Sequence, residues 1–127
     1  MACSFADHGI GAHLGERLLS IVWLVAFWLM QAAAQVLFKY GSLTPGRWLL
    51  GFIAGNVFGA SSIWFLMLLY KSMNPCLALG LGTGGGFLCA QIALLLIFRQ
   101  GVSPVQYGAM ALVSVGMALF AIGAKGQ

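Results

Sequence analysis

Three polar side chains recur at regular spacing inside an otherwise apolar stretch of the chain, namely Gln31, Gln35 and Lys39. Residues four positions apart lie on one face of an α-helix, so the three would form a polar stripe. A glutamine amide both donates and accepts hydrogen bonds, and a lysine adds a positive charge. Polar groups within a bilayer usually face a protein interior or a water-filled cavity. The stripe therefore predicts a substrate-binding face, with hydrogen bonding between helices as the alternative.

Two more residues join this candidate substrate-binding site. Trp28 lies about one helical turn before Gln31, on nearly the same face. Gln91 is an isolated amide in a later apolar stretch, where a hydrogen bond between helices is the simpler interpretation. Both are included among the predicted substrate-binding residues. Other polar side chains expected to face the same interior are Asn56, Ser61, Ser62, Thr83 and Ser114.

Four apolar runs must position these side chains. They cover residues 18–38, 48–69, 76–98 and 105–124. Each has about the 20 residues that a helix needs to cross a hydrocarbon core. Only 6% of the residues are charged and 61% are hydrophobic, whereas a soluble domain carries about 25% charged residues. We therefore predict an all-α, polytopic membrane protein, with a flexible tail over residues 1–17 and a domain of four transmembrane helices over residues 18–127.

The connections between these runs are short and carry stop signals. The turn at residues 71–75 is brief enough to make the second and third helices neighbours. Before the fourth run, Ser103 is suited to the N-cap and Pro104 to the first helical position.

The basic residues do not specify one orientation in the membrane. The side that holds both termini carries three of them and the opposite side also carries three, namely Arg17, Lys71 and Lys125 against Lys39, Arg47 and Arg99. The positive-inside rule then gives almost no preference for either orientation. Insertion in both orientations and a weakly specified single topology both stay open. Because these residues are scattered at helix ends, they do not predict nucleic-acid binding.

Glycines at regular spacing predict close helix contacts. Gly51, Gly55 and Gly59 form a doubled small-xxx-small pattern in the second run. The third run carries five glycines between residues 79 and 86, among them Gly80, Gly84 and Gly86. This segment is either a hinge or thin wall beside a substrate path, or a surface for tight packing.

Acidic residues and histidine are missing from the apolar runs. The runs contain no Asp, Glu or His for acid–base chemistry. The spacing of Cys3, His8 and His13 fits no standard zinc pattern. We therefore expect a protein that is not an enzyme, with no catalytic residue, metal site or cofactor.

Several of these features together resemble a known family. Four helices in a short chain, a polar site in the first, a Gly-x-Gly segment in the third and a Gly-Val-Ser-Pro turn before the fourth are similar to the small multidrug resistance proteins of the drug/metabolite transporter superfamily. In that family a helix-one glutamate binds substrate and protons, and Gln31 stands at the matching position. Lys39 matches the lysine that closes that segment. Gly84 and Gly86 match the Gly-x-Gly pair.

Departures from the family pattern change the expected substrate. Glutamine neither exchanges a proton nor carries a negative charge. The aromatic residues that usually precede the Gly-x-Gly pair are replaced by Leu79 and Gly82. Residues 34–39 and 102–107 more closely resemble the small subunits that flip aminoarabinose linked to undecaprenyl phosphate. In that subgroup a lysine at the membrane boundary could pair with a lipid phosphate.

The resemblance implies a transporter that moves a small polar or amphipathic solute, or a lipid-linked head group, across a bacterial inner membrane. It also implies either a homodimer, for which an antiparallel arrangement is one option, or a heterodimer with a related small subunit. Gly108 and Gly116 resemble the paired glycines of the family's dimer contact. Proton-coupled multidrug efflux and a non-transporting accessory role in a membrane complex are the alternatives.

Overall fold

The fold consists of four long helices joined by short turns. The computed structural model describes residues 10–124, with side chains from residue 13 onward. The helices are α1 (Ile10–Leu43), α2 (Trp48–Ser72), α3 (Pro75–Phe98) and α4 (Pro104–Ala124). Each is long and apolar enough to cross a membrane, and the described residues contain no strand. The predicted all-α class with four transmembrane helices is confirmed.

The first helix begins earlier than predicted. α1 starts at Ile10, about two turns before Leu18. Residues 10–17 of the predicted tail are therefore helical, and residues 1–9, with Cys3 and His8, lie outside the described residues. Apolarity marks the part of a helix that meets hydrocarbon, whereas alanine, leucine and glutamate also favour helix in water. The helix extends past the apolar run over a segment in which Ala12, Leu14, Glu16 and Arg17 favour helix and Gly11 and Gly15 do not.

Capping residues mark the starts of α3 and α4. The Asn74 side chain accepts a hydrogen bond from the Cys76 amide at 2.9 Å, ahead of α3. At α4 the Ser103 hydroxyl accepts from the Gln106 amide at 3.3 Å, and the Gln106 side-chain oxygen accepts from the Ser103 amide at 2.9 Å. These reciprocal bonds form a capping box. The predicted N-cap role of Ser103 is confirmed.

α1 is the main packing partner of α2 and of α3. It packs most extensively against α2 and next against α3, whereas α2 and α3 touch over a smaller area. α4 packs against α3 alone among the described helices, and none of its residues is buried. The short turn at residues 73–74 makes α2 and α3 neighbours as predicted, but α1 is the main partner of both.

Glycines set the distance between α1 and α2. A side-chain carbon added to Gly51 would lie 2.6 Å from the Gly41 Cα and 2.9 Å from the Leu37 carbonyl oxygen. One added to Gly55 would meet the Phe38 ring at 2.5 Å. These contacts run in opposite directions along the two helices, so α1 and α2 are antiparallel. Two of the three predicted packing glycines are therefore sites where only glycine fits without a shift.

The third predicted packing glycine, Gly59, has more room. A carbon added there would lie 3.9 Å from the Ala34 methyl, which is an ordinary van der Waals contact. Gly51, Gly55 and Gly59 have the same spacing in the sequence, but the atoms opposite them differ, and so does the room for a side chain.

We predict that Gly51→Ala destabilises the protein and that Gly59→Ala does not. The added methyl at position 51 must push backbone atoms apart, which costs about 1–3 kcal/mol in a packed interior. Thermal unfolding in detergent, followed by circular dichroism, measures the difference. Equal melting temperatures for the two variants would contradict the close approach of α1 and α2.

Candidate functional site

A tryptophan fixes the contact between α1 and α3. The Trp28 indole nitrogen donates a hydrogen bond to the Leu81 carbonyl oxygen at 3.0 Å. The ring lies directly over Gly85, where any added side-chain carbon would overlap the indole. The glycine-rich segment of α3 therefore provides a notch for an aromatic ring from α1. Gly85 was not singled out in the sequence, because the spacing of glycines does not say which one faces a large side chain.

This placement bears on the predicted role of Trp28. The residue was predicted to bind substrate because it shares a face with Gln31. Its ring packs on α3, and Trp28 does not line the cavity described below. The structure gives it a packing contact that positions α1 and α3. A contact between Trp28 and substrate stays a prediction.

Gln31 is held by a short chain of hydrogen bonds to α2. The Ser62 hydroxyl, which is fully buried, donates to the Gly59 carbonyl oxygen at 2.6 Å. The Gln31 amide nitrogen lies 2.8 Å from the same hydroxyl. Because the Ser62 proton is already used, the serine oxygen can only accept, and Gln31 must donate. This orients the amide of Gln31 and leaves its oxygen Oε1 without a hydrogen bond from the described residues.

The polar face of Gln31 opens onto a cavity of about 450 Å³ between α1 and α3, which we call the inner cavity. It is lined by Phe27, Gln31, Gln35, Gly82, Thr83, Gly86, Phe87, Ala90, Gln91 and Leu94. It brings together three of the predicted substrate-binding residues, Gln31, Gln35 and Gln91. Among the described residues that line it, none is acidic or basic.

The inner cavity offers hydrogen-bonding groups beside apolar walls. The Thr83 hydroxyl donates to the Leu79 carbonyl oxygen at 2.7 Å, so its lone pairs can still accept. The side chains of Gln35 and Gln91 make no hydrogen bond within the described part of the chain. Phe27 and Phe87 supply aromatic surface. The cavity can therefore hold a small molecule that has both polar and apolar parts.

Lys39 lies apart from this group. It is half-buried, and the helix continues beyond it to Leu43, so it is not the terminal residue of α1. It does not line the inner cavity. Eight residues of helix separate it from Gln31, which corresponds to about 12 Å along the axis.

The remaining predicted polar residues divide into two groups. Ser62 and Thr83 contact the candidate site, as expected. Asn56 and Ser114 are exposed and donate to carbonyl oxygens of their own helices. Ser61 is exposed as well. Helical spacing alone does not tell which polar side chains turn back onto their own backbone.

The glycines of α3 face two neighbouring helices, α4 and α1. A carbon added to Gly80 would meet the Phe120 ring at 2.8 Å, and one added to Gly84 would meet the Met117 sulfur at 2.5 Å. Both partners belong to α4. A carbon added to Gly86 would instead lie 3.7 Å from the Gln31 Cβ, which is an ordinary contact. These contacts place packing surfaces in the segment, and a hinge there stays a prediction.

Two predicted glycines of α4 face open space in the protomer. No atom of the described residues lies within 4 Å of a carbon added to Gly108 or Gly116. Their predicted role in a dimer contact stays a prediction.

Comparison with known proteins gives no match to a protein-family model, to a curated protein or to a solved structure. Function has therefore to be inferred from the cavity and the elements around it. Within the described residues there is no group of three or more His, Cys, Asp or Glu side chains that could hold a metal ion.

We predict that Gly85→Ala displaces Trp28, whereas Gly86→Ala leaves it in place. Alanine at position 85 would overlap the indole, but at position 86 it would make ordinary contacts. The indole N–H of Trp28, assigned through Trp28→Phe, can be followed by ¹⁵N NMR. A shift toward the frequency of a free indole is expected for Gly85→Ala only. An unchanged Trp28 signal in that variant would contradict the notch.

Proposed function

We propose that this protein is a four-helix membrane transporter of the small drug/metabolite transporter type, which moves a small polar or amphipathic solute across the bilayer. The observation that carries the proposal is the inner cavity, whose three glutamines lie within apolar helices. An amide without a hydrogen-bond partner is costly in hydrocarbon. A site that keeps several such amides is suited to water and to a polar solute.

The lining favours a solute that is neutral and rich in hydrogen-bond donors. Gln31 Oε1 and the Thr83 hydroxyl oxygen are available acceptors, fixed by their bonds to Ser62 and Leu79. Gln35 and Gln91 can donate or accept. Aromatic side chains on the same walls suit an apolar face, such as the C–H face of a sugar ring. A polyol or sugar head group fits this inventory better than a lipophilic cation.

A lipid-linked head group is the more specific form of the same proposal. The sugar would occupy the inner cavity while its phosphate lies near Lys39, about 12 Å along α1 from Gln31. Lys39 lies outside the neutral inner cavity. Its side chain offers the positive charge for that contact. The proposed location is a bacterial inner membrane, and no chemical conversion of the solute is part of the proposal.

A dimer would complete the site. Gln35, Thr83 and Phe87 line the inner cavity yet are exposed in the protomer, so the cavity opens to one side. α4 has no buried residue and only one neighbouring helix. Both features favour a second subunit, either another copy of this chain or a related small subunit. The balanced basic residues allow the partner to be inverted.

An accessory role in a larger membrane complex is the second candidate. The same exposure of α4 favours it, since a helix with one packed neighbour and no buried residue suits attachment to another protein. Reconstitution of the purified chain alone in liposomes separates the two. Solute passage without any other protein supports the transporter, and passage that appears only with a partner supports the accessory role.

We predict that Gln31→Ala abolishes most transport without unfolding the protein. Ser62 keeps its bond to Gly59 in this variant, so no buried hydroxyl loses its only partner. Loss of one hydrogen bond of about 1.4 kcal/mol corresponds to about tenfold. Uptake of radiolabelled polyols and flipping of a fluorescent lipid-linked sugar in proteoliposomes are the measurements. Asn56→Ala is the matched control, because that amide binds only its own helix. Equal loss in both variants would count against the cavity.

We also predict that cells expressing the protein gain no resistance to quaternary ammonium compounds unless Gln31→Glu is introduced. A carboxylate supplies the negative charge and the exchangeable proton that glutamine lacks. Growth on a cationic biocide and proton flux in liposomes test this together. Strong resistance with stoichiometric proton exchange in the unmodified protein would favour proton-coupled multidrug efflux instead.

A further inference from the structure

A second cavity lies where the end of α3 meets the beginning of α4. It measures about 310 Å³, and we call it the outer cavity. Its lining includes Phe87, Gln91, Leu94, Gln100, Gln106 and Ala109. Three of these residues are glutamines, so the outer cavity carries the same functional group as the inner one. The residue that follows α3, Arg99, adopts the left-handed conformation with φ of 47°, and the turn to α4 begins there.

The two cavities share one wall. Phe87, Gln91 and Leu94 line both of them. These positions are separated by four and three residues, so they form a single face of α3. Of the three side chains, only Gln91 is polar. It is half-buried and makes no hydrogen bond within the described residues, so it can change rotamer without breaking one.

One glutamine of the outer cavity, Gln106, is held in place at the start of α4. The Gln106 side-chain oxygen accepts a hydrogen bond from the Ser103 amide at 2.9 Å. That bond orients the side chain and leaves its NH₂ group as the available donor. A solute that passes Gln91 into the outer cavity would therefore meet the oriented amide of Gln106.

We propose that the outer cavity is a second solute site in series with the inner cavity, and that Gln91 separates them. The two linings extend along α3 from Gly82 to Leu95, about 20 Å at helical rise. They provide a polar route from the interior of the helices to the membrane surface at the α3–α4 turn. The proposal rests on the proposed transport function for what passes along the route, but the route itself can be tested without a substrate.

The test measures how fast a membrane-impermeant, cationic methanethiosulfonate reagent labels a cysteine in the inner cavity. The starting protein lacks the native cysteines and carries Thr83→Cys, because Thr83 lines the inner cavity and not the outer one. It is studied in lipid nanodiscs. Labelling should become about tenfold faster with Gln91→Ala, which opens the partition, and about tenfold slower with Ala109→Trp, which fills the outer cavity.

Two controls isolate the route. Ala118→Trp places the same bulky side chain on an exposed position of α4 that lines neither cavity. It should leave labelling unchanged. A parallel protein that retains only Cys76, which is exposed at the start of α3, should react at the same rate in every background.

Two results would overturn the proposal. One is a labelling rate of the Thr83→Cys protein that is the same with and without Gln91→Ala. The other is slowing by Ala118→Trp as large as that by Ala109→Trp. If Ala109→Trp does not fold, Gln91→Ala decides alone. Because labelling needs no solute, a protein that transports nothing but shows the Gln91 effect supports the route and counts against the proposed function.

Discussion

Apolar side chains gain little free energy by leaving lipid for protein, so helices in a bilayer are held together mainly by close contact and by hydrogen bonds. In this protein both kinds of interaction converge on α1. On one side, Gly41 and Gly51 let the backbones of α1 and α2 approach each other. On the other side, the Trp28 ring fills the notch at Gly85 and donates to a carbonyl of α3. The position of α1 between its neighbours depends on these contacts.

The inner cavity is a consequence of that arrangement. Trp28 and Phe27 fill the space beside α3 with aromatic rings, whereas one turn further along α1 the side chain is Gln31. The bond from Gln31 to Ser62 ties the amide to α2 and away from the α3 backbone. The space between α1 and α3 therefore stays open at this level, and its lining includes the amides of Gln31, Gln35 and Gln91 beside apolar side chains. The same face of α1 therefore packs against α3 at Trp28 and borders the inner cavity at Gln31.

The sequence was sufficient for the fold and for part of the site. Four apolar runs with stop signals predicted the helices, because length and apolarity are what a bilayer requires. The start of α1 at Ile10 was missed, since helix propensity extends beyond the apolar run. The spacing of Gln31 and Gln35 predicted a shared face, and both line the cavity. Trp28 shares that spacing but packs on Gly85, because spacing gives a face and not the residue opposite it. Ser62 was foreseen as an interior residue, but its partner was not.

The choice of amides over carboxylates has a physical consequence for how such a cavity selects solutes. A charged carboxylate among apolar helices is expensive and must be matched by a cation or a proton, which couples binding to charge. An amide costs less and accepts any solute with complementary hydrogen-bonding groups. Discrimination then depends on whether each amide finds a partner, because a site built to bind hydroxyl or N–H groups rejects analogues that leave its polar atoms unpaired. Among the described residues, Gln31 is the one amide of the inner cavity that a hydrogen bond orients. In the proposed transporter, selectivity should therefore depend most on its free oxygen.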